Sequence, residues 1–167
     1  EKQFSLYPEY IVDELEIGDF ISIDFNSVLL QVIGKIDGIV SVRVLNGGKM
    51  GQNKAVTIDR KIAMPPLTDK DRHAINIGLN KSISNFALSF ANFASDVEEI
   101  KKLCGDDAFI VSKIECVNGF KNLNEIAKKS DAILIDRGDL SREFPIERIP
   151  SLQKRIIDQC KLIDRPV

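Results

Sequence analysis

The sequence predicts an α/β protein in which part of a small antiparallel β domain precedes part of a (β/α) barrel. Two observations lead to this fold class. Up to residue 61, short β-branched runs are separated by turn residues, whereas from residue 62 helical and strand patterns alternate. Repeated strand–helix units with apolar strands are typical of a parallel sheet covered by helices.

The first region, residues 1–61, is expected to form part of a β lid domain. Its apolar runs are separated by turn signals about every 8–12 residues, which is the spacing of a small antiparallel unit. The predicted strands are 20–24, 28–33 and 39–44, and the predicted turns are 24–27, 37–38 and 46–48.

The second region, residues 62–167, is expected to contain three strand–helix units and the start of a fourth strand. Thr68 can cap a helix, Ser95 with Glu98 forms the pattern of a capping box, and Gly105 can end that helix. The predicted helices are 68–81, 95–104, 120–127 and 147–163, and the predicted strands are 83–88, 108–111, 132–135 and 166 onward.

The size of the second region indicates a slice of a barrel. Its three units occupy about 100 residues, whereas a complete eight-unit barrel needs about 250. An open slice of this kind leaves sheet edges unpaired. We therefore expect the 167 residues to be an excerpt of a larger protein.

Composition and charge exclude several classes of protein. No apolar run is long enough for a membrane span, and the 23 basic and 25 acidic residues are interspersed, which disfavours nucleic-acid or membrane partners. Cys104, Cys116 and Cys160 form no C-x-x-C pair, and His73 is the one histidine. Both observations disfavour a zinc site or a disulfide framework and indicate a cytoplasmic protein.

Charged residues follow the predicted strands 108–111 and 132–135, at the edge where barrel enzymes carry their sites. Lys113 and Glu115 are two residues apart, so they point to the same side of an extended segment. Asp139 follows the next strand. Glu115 and Asp139 together predict a site for a hard divalent cation, Mg²⁺ or Mn²⁺, with Lys113 beside it.

These residues lie in motifs that resemble the pyruvate kinase family. The family's S-K-I-E-N-x-x-G motif corresponds to residues 112–119, and its R-G-D-L motif corresponds to residues 137–140. Further segments are similar to family motifs in the same order along the chain: 46–51, 66–71 and 89–90. The resemblance covers about residues 10–167.

The resemblance implies a role for each candidate residue. Lys113 corresponds to the catalytic lysine, which stabilises the enolate oxyanion and the transferring phosphoryl group. Glu115 and Asp139 correspond to the magnesium ligands. The backbone at Gly138 and Asp139 corresponds to the part that contacts the substrate carboxylate, and Lys54 corresponds to a lid lysine near the nucleotide phosphates.

The activity that the resemblance implies is phosphoryl transfer from phosphoenolpyruvate to ADP, which gives pyruvate and ATP in the last step of glycolysis. The cofactors would be Mg²⁺ or Mn²⁺ and also K⁺, whose ligands lie outside this chain. The resemblance further implies a cytoplasmic homo-oligomer that binds neither nucleic acid nor membranes.

Several positions depart from the family pattern. Asp136 replaces a small residue, Arg142 replaces an apolar one, Cys116 replaces an Asn, and Asn92 replaces an Arg. These departures leave two alternatives open. One is a diverged barrel that uses Lys113 and a metal for oxo-acid binding or for enolate or aldol chemistry. The other is a catalytically inactive homologue.

Overall fold

The computed structural model describes residues 3–24 and 27–167. The chain divides into two units, Glu1–Met64 and Pro65–Val167. An antiparallel sheet forms the first unit and a parallel sheet forms the second, so the fold is mixed α/β. Residues 25 and 26 of the predicted turn 24–27 lie outside the described residues. Across the described ranges, no helix is both long and apolar enough to cross a membrane.

Alternating burial explains the sheet of the first unit. The elements are α1 (Ile11–Glu14), β1 (Phe20–Ile23), β2 (Val28–Ile36), β3 (Ile39–Asn46) and β4 (Val56–Ile58). The strands are antiparallel in the order β3–β2–β1–β4. Every second side chain of β1 and of the first part of β2 is buried on one face. The core consists of Leu15, Ile21, Ile23, Val28, Leu30 and Val32.

A two-residue turn joins β2 to β3, as the sequence predicts. Asp37 and Gly38 both have positive φ angles, 49° and 74°, and Ile36 pairs with Ile39 across the turn. Asp-Gly is favoured at such a turn because glycine adopts positive φ without steric cost and aspartate tolerates it. Neither α1 nor β4 is predicted from the sequence, because both are too short to carry a periodic pattern.

A buried carboxylate organises the start of β1. Asp19 accepts hydrogen bonds from the backbone N–H of Glu16 at 2.8 Å and from Arg60 Nε at 2.9 Å. Burial raises the pKa of Asp19, but these two donors outweigh burial, and the pKa lies below its ordinary value. Asp19 and Arg60 therefore form a balanced structural ion pair.

The second unit is built from strand–helix repeats, as expected. Its elements are α2 (Asp69–Asn80), β5 (Asn85–Leu88), α3 (Ala94–Cys104), β6 (Phe109–Ile114), α4 (Val117–Lys121), α5 (Leu123–Lys129), β7 (Ala132–Ile135), α6 (Arg137–Leu140) and α7 (Ile149–Leu162). The strands are parallel in the order β5–β6–β7. Helices connect them, because parallel neighbours need a crossover.

Apolar side chains from the strands and helices form the core of this unit. Its most deeply buried members are Val97, Ile110, Ile114, Leu123, Ile126, Leu140 and Ile156. Thr68 caps α2 as predicted, since its hydroxyl accepts the N–H of Asp71 and the Asp71 carboxylate accepts the N–H of Thr68. The packed core holds the strands whose ends carry the candidate site.

The predicted capping box of Ser95 and Glu98 is wrong. The carboxylate that caps α3 belongs to Asp96, whose Oδ2 accepts the N–H groups of Asn92 and Phe93, each at 2.9 Å. The helix therefore begins one residue earlier than the pattern predicts, at Ala94. Ser95 and Asp96 both fit the composition of a helix start, and only the path of the preceding loop selects between them.

The chain returns to the parallel sheet after α7. The carbonyl oxygen of Pro166 accepts the N–H of Ile133, in β7, at 2.9 Å. This contact agrees with the expectation that a further strand starts near residue 166.

Candidate functional site

Four charged side chains meet at the carboxyl end of the parallel sheet. Lys113 lies in β6, Glu115 follows β6, Asp136 follows β7, and Asp139 lies in α6. One carboxylate oxygen from each of Glu115, Asp136 and Asp139 lies within 4.8 Å of the others, and we call these three residues the acidic cluster. The structure thus brings together the three candidate residues predicted from the sequence, Lys113, Glu115 and Asp139. It adds Asp136 to them.

Lys113 faces two members of the acidic cluster. Its Nζ lies 2.5 Å from Glu115 Oε1 and 3.2 Å from Asp136 Oδ2, and its side chain is 20% exposed. Burial lowers the pKa of Lys113, but the hydrogen bonds and negative charges of Glu115 and Asp136 more than reverse this, and the pKa lies above its ordinary value. The charged form of the ammonium group is therefore favoured.

Glu115 is fully buried, with 0% of its side chain exposed. Its Oε2 accepts the backbone N–H of Phe90 at 2.5 Å, in the loop that follows β5. Its Oε1 faces Lys113, and within residues 3–24 and 27–167 no hydrogen-bond donor satisfies Oε1 beyond this ion pair. Burial raises the pKa of Glu115, and the contacts with Lys113 and Phe90 only partly oppose it. The fold thus holds a carboxylate where its charge is unfavourable.

The segment after β7 is arranged around the Asp136 side chain. Asp136 Oδ1 accepts the backbone N–H of Asp139 at 3.2 Å, which caps α6. Burial raises the pKa of Asp136, but this N–H and Lys113 outweigh burial, so the pKa lies below its ordinary value. Asp139 Oδ1 in turn accepts a hydrogen bond from Arg142 at 3.0 Å.

Sequence reasoning identifies Asp136 and Arg142 as departures from the family pattern but assigns neither a contact. The structure places both within the site, with Asp136 on Lys113 and Arg142 on Asp139. Phe90 is a further residue whose role is missed, because it acts through its backbone N–H. The sequence signal that could have identified Asp136 and Arg142 was their charge, at positions where the family pattern has a small residue and an apolar one.

Two residues of the S-K-I-E motif region have structural reasons for their identity. The buried Ser112 hydroxyl lies 2.6 Å from the hydroxyl of Ser130. A Cβ atom on Gly119 would lie 2.6 Å from the carbonyl oxygen of Ala91, which is closer than real Cβ contacts come. Gly119 therefore permits the close approach of the loop after β5, which carries the N–H that binds Glu115.

Neither Cys116 nor Lys54 is a member of the acidic cluster. Cys116 is buried, its Sγ accepts the N–H of Gly119 at 3.3 Å, and burial raises the pKa of its thiol, so it is a structural cap. Lys54 belongs to the first unit, where its Nζ lies 3.1 Å from Asp24 Oδ2. His73 is exposed on α2.

A sequence model of the family described as "Pyruvate kinase, barrel domain" matches residues 1–167. The chain belongs to the pyruvate kinase family. It is 36% identical over 173 residues to a pyruvate kinase of Staphylococcus saprophyticus and 36% identical over 174 residues to one of Geobacillus stearothermophilus. It is also 35% identical over 160 residues to plastidial pyruvate kinase 3 of Arabidopsis thaliana.

These alignments cover nearly all of the chain but only part of each relative. They include 99% of the chain for the Staphylococcus protein, 100% for the Geobacillus protein and 93% for the Arabidopsis protein. The chain spans 28–30% of the length of these three pyruvate kinases. The similarity to the family therefore extends over nearly the whole chain.

Proposed function

We propose that the protein carrying this chain transfers a phosphoryl group from phosphoenolpyruvate to ADP, forming pyruvate and ATP in the last step of glycolysis. Family membership and the printed names of the relatives support this activity. The observation that carries the proposal is the meeting of Lys113 with the acidic cluster at the carboxyl end of the parallel sheet. Ligands of α/β sheets bind at this end of the strands.

Lys113 is the proposed catalytic residue. Phosphoryl transfer depends mainly on positioning and on charge stabilisation, and a fixed ammonium group supplies both. The ion pairs with Glu115 and Asp136 keep Lys113 protonated, so it acts as a positive charge and not as a general base. This charge faces the oxygen atoms that become negative as the phosphoryl group leaves.

Glu115 and Asp139 are the proposed ligands of a divalent cation. The acidic cluster offers only oxygen donors, which suit Mg²⁺ or Mn²⁺, and the buried Glu115 Oε1 has no hydrogen bond beyond its ion pair among the described residues. These residues therefore fit the metal that the family implies. When bound, the cation would supply electrostatic neutralisation of the substrate oxygens.

The remaining assignments follow the family motifs. We assign the backbone of Gly138 and Asp139 to the substrate carboxylate and Lys54 to the nucleotide phosphates. K⁺, if required, has its ligands outside this chain. We further propose that residues 1–61 are part of the β lid domain, that residues 62–167 are a segment of a TIM barrel, and that the whole protein is a cytoplasmic homo-oligomer.

A coupled assay tests the activity directly. The full-length protein is incubated with phosphoenolpyruvate, ADP, Mg²⁺ and K⁺, and pyruvate is measured with lactate dehydrogenase. We expect pyruvate formation that depends on ADP and stops when the metal is chelated. Absence of pyruvate from folded protein under these conditions would reject the proposed function.

A further inference from the structure

The Asp136 carboxylate occupies two groups that the proposed substrate would use, one for its carboxylate and one for its reacting oxygens. Its Oδ1 accepts the N–H of Asp139 at 3.2 Å, and its Oδ2 lies 3.2 Å from Lys113 Nζ. The proposed function assigns the backbone at Asp139 to the substrate carboxylate and Lys113 to the reacting oxygens. One side chain of the protein therefore makes contacts that the substrate needs.

We propose that Asp136 is a specificity-determining residue that occupies the anion-binding position of this site, so that a carboxylate ligand has to displace it. This inference rests on the proposed function. A ligand that lacks a carboxylate escapes this competition, whereas an oxo acid or its enol phosphate meets it directly.

The charge balance of the site supports this role. Two cations, Lys113 and Arg142, contact the three carboxylates of the acidic cluster, which leaves one excess negative charge before a divalent cation binds. Without Asp136 the same group would be neutral. Like charges at short range in a partly buried site repel strongly, so Asp136 opposes the approach of an anion as well as occupying its donors.

The space around Asp136 also favours direct competition. A Cβ atom on Gly138 would lie 3.4 Å from Asp136 Oδ1, so the carboxylate lies against the backbone of the R-G-D segment. The N–H of Asp139 can make one strong hydrogen bond at a time. An incoming carboxylate that binds this N–H must therefore turn the Asp136 side chain away.

Asp131, which immediately precedes β7, provides a matched control. It accepts one backbone N–H, from Ile110 at 2.8 Å, and faces one lysine, Lys101, at 3.1 Å. Its side chain is 29% exposed and that of Asp136 is 32% exposed. The two carboxylates thus make the same types of contact, but Asp131 lies at the opposite end of β7.

The test is calorimetric titration of the full-length protein with oxalate, a small dicarboxylate, at saturating Mn²⁺. We expect Asp136→Ala to bind oxalate about tenfold more tightly than the wild type, since one hydrogen bond to a charged group is released. Asp136→Asn should lie between the two, because its amide oxygen still accepts the N–H of Asp139 but carries no charge. Asp131→Ala and Asp131→Asn should bind like the wild type.

Unchanged or weaker oxalate binding by folded Asp136→Ala would overturn the inference. If Asp136→Ala does not fold, Asp136→Asn decides, and wild-type affinity in that variant overturns the inference equally. A role of Asp136 as an essential metal ligand would also overturn it, and would appear as loss of Mn²⁺ binding in both variants.

The same proteins separate this inference from the proposed function. A gain of oxalate affinity in Asp136→Ala, together with no phosphoryl transfer by the wild type, supports this inference and rejects the proposed activity. Phosphoryl transfer by the wild type, with no gain of oxalate affinity in the variant, supports the activity and rejects this inference.

Discussion

The two ends of strand β7 carry aspartates with similar surroundings and different consequences. Asp131 precedes the strand, accepts the N–H of Ile110 and pairs with Lys101. Asp136 follows the strand, accepts the N–H of Asp139 and pairs with Lys113. At Asp131 the contacts shown join a single carboxylate to a single lysine. At Asp136 the lysine is shared with the buried Glu115, and Asp139 lies nearby.

This difference separates an ion pair that stabilises the fold from the cluster that we propose as a ligand site. Burial raises the pKa of Asp131, but the Ile110 N–H and Lys101 outweigh burial. The pKa therefore lies below its ordinary value, and the charged form is favoured. Burial raises the pKa of Glu115, and its partners do not compensate. A fold gains nothing from an undercompensated buried charge, and such groups concentrate at functional sites.

The largest expected effect comes from replacing Lys113, the lysine that pairs with Asp136. The matched control replaces Lys101, the lysine that pairs with Asp131. Lys113→Met should lower turnover by about 10²–10³-fold, because one preorganised charge in a site of this kind contributes that much. Lys101→Met, at the other end of the sheet, should leave turnover unchanged. Steady-state kinetics with phosphoenolpyruvate and ADP on the full-length protein measures both.

Lys113→Arg sharpens the same test. A planar guanidinium group cannot take the place of a compact ammonium group between Glu115 and Asp136, so it should restore little of the lost turnover. Near-normal turnover in Lys113→Met would show that the charge assigned to catalysis is not needed.

An intermediate effect, on stability, is expected at the Asp131 end of β7. Asp131→Asn should lower the free energy of unfolding by about 1–2 kcal/mol, because the Ile110 N–H and Lys101 lose a charged acceptor. The pKa of Asp131 is lowered in the folded protein, so this contribution is complete above pH of about 4 and is lost as pH falls through the lowered pKa. Denaturant unfolding at neutral and acidic pH measures it, and a pH-independent difference would contradict the ion-pair explanation.

The smallest effect on stability is expected for Glu115, in the acidic cluster. Because burial raises the pKa of Glu115, the folded protein disfavours its charged form, and Lys113 keeps its ion pair with Asp136 when Glu115 is replaced. Glu115→Gln should therefore lower metal-free stability less than Asp131→Asn does, or increase it. Denaturant unfolding with chelator present measures this value. A loss larger than that of Asp131→Asn would place Glu115 among the residues that hold the fold.

The sequence was sufficient to place the main parts of the site but not their contacts. Lys113 lies near the carboxyl end of β6, Glu115 follows β6 and Asp139 comes after β7, and strand ends at one edge must meet. The hydrogen bonds of Asp136 and Arg142 depend on the local turn of residues 137–140, which forms a short helix that no periodic pattern could reveal.

The errors have the same origin. Asp96, rather than Ser95 with Glu98, caps α3 because the preceding loop presents the N–H groups of Asn92 and Phe93 to it. Phe90, whose N–H reaches Glu115, adopts a positive φ of 51° in that loop. Loop conformations of this kind are set by tertiary packing and are not encoded in residue type alone.

Binding of Mn²⁺ tests most directly whether the carboxyl end of the parallel sheet is the functional end. Calorimetry on the full-length protein compares the wild type with Glu115→Gln and with Asp131→Asn. We expect Glu115→Gln to weaken Mn²⁺ binding by at least about 10–100-fold, since even residues that only support metal ligands have effects of that size. Asp131→Asn should bind like the wild type. Equal Mn²⁺ affinity in the wild type and Glu115→Gln would contradict the assignment of the metal to the acidic cluster.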